Sequence, residues 1–159
     1  MDLDKKNTLI ERIRKAFSGV RLENGIGLHE AGALDEYADK QTQMRYRQKD
    51  ELNDWQSIPV EELELYSDHF AFFDSKSWRF HLPALLIAEL EGKAVSITGY
   101  LTNFWIEEKQ EPLKQRFGLL TDEQRSVVRY FLIEVMTNDI EGKTFENDFK
   151  KALDEYWNI

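Results

Sequence analysis

Residues 70–90 read FAFFDSKSWRFHLPALLIAEL, the most apolar stretch of a 159-residue chain. Phe70 to Phe73 and Trp78 to Leu82 are rich in residues that suit strands. Asp74-Ser75-Lys76-Ser77 between them has turn chemistry. The spacing predicts a β-hairpin over about 70–82 with a four-residue loop, Phe73 opposite Trp78 and Phe72 opposite Arg79. Period-two alternation puts Trp78, Phe80 and Leu82 on the core face, and Arg79 and His81 on the other. Arg79 would lie over the Phe72 ring. Pro83 then opens a helix over 83–91, nearly all apolar and so buried, which Gly92 ends.

Upstream of that stretch, residues 50–75 carry eight acids and no Lys or Arg. A solvated face is the plain reading; an acidic surface for a basic protein partner is the sharper one. A short helix is expected over 59–66, with Ser57 as its N-cap and Pro59 in its first turn. Residues 42–53 read as an exposed polar helix, and 28–38 as a short helix with Leu28, Ala31, Leu34 and Tyr37/Ala38 on one side. Asn24-Gly25-Ile26-Gly27 is a loop that lacks the third glycine of a dinucleotide fingerprint. Over 4–18, Leu9, Ile10, Ile13 and Phe17 keep helical spacing, and Gly19 is a stop. That helix is basic on its back, and a core helix is favoured over a membrane helix.

Downstream, Ser96 to Trp105 is read as a short helix and 112–117 as a further helical turn. Thr121-Asp122-Glu123-Gln124 is a capping box ahead of the stripe Val127, Val128, Phe131, Leu132 and Val135. After a turn at 138–143, Thr144 would cap a last helix with Phe145, Phe149, Ala152, Leu153, Tyr156 and Trp157 on its apolar side. The two are expected to form an antiparallel pair.

Composition narrows the classes of function. The chain has no cysteine, which removes thiol catalysis, thiolate zinc sites and disulfides. Its net charge of -9 disfavours nucleic acid, whose binding rests on neutralised phosphates. The N-terminus has no apolar leader, and the uncharged run 94–106 is too short and polar to span a bilayer. A cytoplasmic protein of one globular domain, 1–159, with no membrane association is expected. Its oligomeric state is left open.

Motifs for chemistry are sparse. An EF-hand reading of the loop around Gly142 has Thr137 where Asp is wanted and Asp148 where Glu is wanted. His29, His69 and His81 lack metal-ligand spacing, although His69 and His81 could approach across the hairpin. The two Gly-Lys pairs lack the upstream glycine of a phosphate loop. No catalytic residue, metal or cofactor is assigned.

Asp54-Trp55, Ile58-Pro59, Phe72-Phe73-Asp74, the block from Trp78 to Ala84, and Leu120-Thr121 with Gln124 together carry a resemblance. The chain resembles a family of small uncharacterised bacterial proteins with D-W-x-x-I-P, F-F-D, W-R-F-x-L-P-A and L-T-x-x-Q blocks. Ser77 stands where that pattern has Gly before the aromatic residue. The family is a domain of unknown function, so the resemblance implies no activity.

These readings converge on a mainly helical α+β domain. One small hairpin over about 70–82 packs on a buried helix and on the C-terminal helix pair. The favoured function is a non-enzymatic protein-interaction role, of which a toxin-neutralising immunity protein is one form. The alternative is a small-molecule-binding module or small enzyme with a pocket beside the hairpin. Trp55, Asp74, Trp78, Arg79 and His81 are the candidate ligand- or partner-binding residues, Arg79 as anion anchor and His81 as proton carrier. A purely structural role for Asp74 and Arg79 competes with that pocket.

Overall fold

The computed structural model describes residues 1–102, 111–138 and 143–159. It is about 69% helical, and no strand occurs among the described residues. The hairpin over 70–82 is therefore not present, and the α+β assignment is corrected to all-α. Ser67–Phe72 is a 3₁₀ turn, and one helix runs unbroken over Ser75–Leu90.

Local chemistry explains the correction. In a 3₁₀ turn residues three apart share a side, so Phe70 and Phe73 point inward together while Phe72 is exposed. Asp74 is an N-cap, not a turn residue: its Oδ1 accepts the Ser77 N–H at 2.8 Å. The alternation of Trp78, Phe80 and Leu82 carried no strand signal, because Ser77, His81 and Pro83 between and beside them are buried too. A helix buried on nearly all sides has no face for a period to report. Pro83 lies inside that helix, where it leaves the Arg79 carbonyl without its usual donor. The helix ends as expected at Gly92, φ +73, with Gly92 and Lys93 N–H groups on the Glu89 and Ala88 carbonyls.

The described residues fall into two compact units, 19–95 and the combination of 1–18 with 96–159. The first contains α2 (Leu28–Asp35), α3 (Lys40–Arg47), α4 (Val60–Leu65) and α5 (Ser75–Leu90), with 3₁₀ turns at Trp55–Ser57 and Ser67–Phe72. The turn at 55–57 is capped by Asp54, so Ser57 is its last residue rather than the cap of α4, where Pro59 takes that place. Leu22, Leu28, Leu63, Phe70, Trp78, Phe80, Leu82 and Leu85 are buried.

The second unit contains α1 (Leu3–Ala16), α6 (Thr98–Thr102), α7 (Glu111–Phe117), α8 (Asp122–Asn138) and α9 (Glu146–Glu155). The expected helix over 96–105 begins at Thr98, as α6, and its later part lies outside the described residues. The capping box forms as read: Gln124 N–H reaches Thr121 Oγ1 at 3.2 Å and Thr121 N–H reaches Gln124 Oε1 at 3.0 Å. Gln124 also donates through Nε2 to the Ala16 carbonyl at the end of α1, at 3.1 Å. Phe145, not Thr144, occupies the N-cap position of α9. Arg129 Nη1 donates to the Leu153 and Trp157 carbonyls at 2.9 Å, which joins the early part of α8 to the end of α9 and makes the pair antiparallel. Part of the proposed calcium loop, including Gly142, lies outside the described residues.

Candidate functional site

The five residues singled out from the sequence all belong to the 19–95 unit, and most of them are packed. Trp55 is buried in its 3₁₀ turn. Trp78 is buried edge-on to Phe73 and Phe70, with ring centroids at 5.4 and 6.2 Å. His81 stacks on Phe73 at 4.6 Å, and its Nδ1 is 2.8 Å from the Ser77 carbonyl oxygen. A carbonyl only accepts, so Nδ1 carries the proton. Burial pushes the His81 pKa down to about 4, which leaves the ring neutral at pH 7.

Asp74 and Arg79 lie on the side of α5 that meets the 23–27 loop. Ser77 Oγ is 2.6 Å from the Ile26 carbonyl oxygen and 2.8 Å from Asp74 Oδ1. Lys76 Nζ is 3.0 Å and Arg79 Nη2 3.4 Å from Glu23 Oε2. The two cations hold the Glu23 carboxyl below its usual range, Lys76 first. Arg79 is therefore directed at Glu23 rather than at Phe72, and its Nε is buried without a hydrogen-bond partner among the described residues. The structure thus brings Trp78 and His81 together in an aromatic core and sets Arg79 apart from them.

Sequence reasoning missed a second polar cluster. Helix α2 starts at Gly27, which has no side chain to cap it, and Asp50 supplies the cap from 20 residues or more away. Asp50 Oδ1 accepts the His29 backbone N–H at 2.6 Å and lies 2.8 Å from His29 Nδ1. Its Oδ2 accepts the Glu30 N–H at 3.2 Å. A Cβ on residue 27 would fall 1.9 Å from Oδ2, so the approach requires glycine. Burial pushes the Asp50 carboxyl up, and the bonds from His29 and Glu30 work against that. Arg47 braces the same corner, donating to Glu30 Oε1 at 2.8 Å, to the Glu23 carbonyl at 2.7 Å and to the Gly25 carbonyl.

The Tyr66 ring sits 4.7 Å from His29 and 5.7 Å from His69, whose Nδ1 is 3.2 Å from Asp35 Oδ2. His69 and His81 thus have separate partners. The His29–Asp50 pair has the form of an acid–base dyad, but its carboxylate is committed to the first turn of α2. The sequence signal was a helix start without a capping side chain, which calls for an acid from elsewhere.

The acids of 50–75 divide into two sets. Asp50, Asp54 and Asp74 are caps, Glu51 accepts the Asp54 N–H, and Glu64 accepts the Ala94 N–H. Among the described residues the side chains of Glu61, Glu62 and Asp68 have no hydrogen bond or ion pair. Beside them Leu65 is 74% and Phe72 38% exposed. No group of three or more His, Asp or Glu among the described residues is arranged to hold a metal, and no described helix is long and apolar enough to cross a membrane.

The chain belongs to a family of unknown function, DUF6714, which matches residues 5–159. No curated protein and no solved structure matches it.

Proposed function

We propose that the chain is a non-enzymatic, cytoplasmic protein-interaction module that offers α4 and the 3₁₀ turn after it to a basic protein partner. The observation that carries this reading is the second set of acids. The side chains of Glu61, Glu62 and Asp68 are spent on no bond among the described residues, and they stand beside the exposed apolar side chains Leu65 and Phe72. Apolar anchors with unpaired charge around them are the usual make-up of a recognition surface. The chemistry-bearing groups support the same reading: His81 is sealed among rings, and His29 and His69 each sit against a carboxylate. A toxin neutralised by this acidic surface is the most concrete form of the partner.

The test compares wild type with a Glu61→Lys/Glu62→Lys variant and a Leu65→Lys variant, each shown to be folded by circular dichroism. Affinity capture from the native host should recover one basic protein with wild type and lose it with both variants. Equal recovery by all three chains, or no protein enriched by wild type, would overturn the proposal.

A further inference from the structure

Residues 36–39 join α2 to α3, and the end of α2 is unusual. Tyr37 N–H donates to the Leu34 carbonyl at 3.1 Å and Ala38 N–H to the Ala33 carbonyl at 3.0 Å. This is the double bond pattern that closes a helix through one left-handed residue, ordinarily glycine. The chain uses glycine in that region after α1 and α5, at Gly19 and Gly92. After α2 it uses Tyr37, at φ +56, with the side chain 96% exposed. The backbone is in a region that disfavours a side chain, and the ring buries nothing in return.

Helix α3 follows directly and has no buried residue, and Met44 on it is 65% exposed. A short helix with so little buried surface draws little stability from packing. Arg47 in its last turn is tied to Glu30. Of the other charges, Glu36, Asp39 and Lys40 stand at its start, and Arg45 in its last turn and Lys49 just beyond, which leaves the start net negative and the end positive. Two such helices laid antiparallel set unlike charges and opposed helix dipoles against each other. A two-fold arrangement does this with one surface used twice.

We infer that the α2–α3 corner is a homodimer interface, with Tyr37 and Met44 of each copy at its apolar centre. Tyrosine, methionine and arginine are the residue types that concentrate in such centres. A patch built on eight helical residues is smaller than a standard interface, so the dimer is weak and concentration-dependent. Its apolar centre uses neither Glu61, Glu62 nor Leu65, so the variants that test the acidic surface of α4 leave Tyr37 and Met44 in place.

Sedimentation equilibrium of the full chain, from micromolar to millimolar, tests the inference. The weight-average mass should climb from 18.8 kDa towards twice that value. Tyr37→Gly should weaken association by about tenfold or more, while the melting temperature of dilute protein stays the same or rises. Met44→Glu should weaken it similarly. A mass of 18.8 kDa at every concentration overturns the inference, even if the corner binds some other molecule. So does a Tyr37→Gly chain that associates like wild type or melts lower when dilute.

Discussion

His81 shows how burial alone can make a residue pH-sensitive. Its folded pKa of about 4 lies below the ordinary histidine value of about 6.5. Above pH ~6.5 both folded and unfolded chains are neutral there, and the full stability is present. As the pH falls towards 4 the unfolded chain takes up a proton that the folded chain refuses, so stability falls, by roughly 3 kcal/mol in all. His81→Phe keeps a ring against Phe73 and removes the titration. Urea unfolding between pH 7 and 4 should therefore show a shallower loss for the variant than for wild type; parallel profiles would refute this account. The sequence offered His81 as an exposed proton carrier because alternation put it on the outer face of a strand. On a helix the same residue falls inside, where its one polar bond goes to its own preceding turn. His29 and Asp50 were illegible for another reason. Their pairing depends on two segments meeting, and no local spacing encodes a cap supplied from more than one helix away.

Helix starts were the most legible elements where the cap is local and the least where it is not. The box at Thr121 and Gln124 was readable because both partners lie within one turn. The bond from Gln124 Nε2 to the Ala16 carbonyl was not, since it joins α8 to α1 across more than a hundred residues. That second bond explains why the residue is glutamine. Glutamate serves the box equally well, but it has no proton to donate to Ala16 when ionised. Gln124→Ala should cost about 1–3 kcal/mol, because the Ala16 carbonyl and the Thr121 N–H both lose a partner. Gln124→Glu should restore the box and still be at least as damaging at pH 7, with a carboxylate facing a carbonyl. Its deficit should shrink at pH 4 as the carboxyl protonates. Chemical denaturation of the two variants at both pH values measures this, and a Gln124→Glu chain as stable as wild type at pH 7 would refute the cross-helix role. For α5 the failure was of the opposite kind: Asp74-Ser75-Lys76-Ser77 suits a turn and a helix start equally well. Burial on almost every side then erased the period that would have decided between them.

At the scale of the whole molecule, the chain path bears on cooperativity. One unit is continuous, residues 19–95; the other is assembled from 1–18 and 96–159, with α1 packed on α8. The composition and length that suggested a single domain did not reveal this insertion, because the helix patterns along the chain do not record which helix packs on which. The insertion ties the stability of one unit to the other. If 19–95 unfolded alone, α1 and α8 would stay together only by closing a long flexible loop, which costs roughly 4–5 kcal/mol on a chain-entropy estimate. That is comparable to the full stability of a small domain, so the discontinuous unit should not outlast the continuous one. A continuous unit of this size is itself marginal in isolation. We therefore read 1–159 as one cooperative domain. Differential scanning calorimetry should give a single transition whose calorimetric and van't Hoff enthalpies agree. Two resolved transitions, or a calorimetric enthalpy well above the van't Hoff value, would mean that the two units unfold separately.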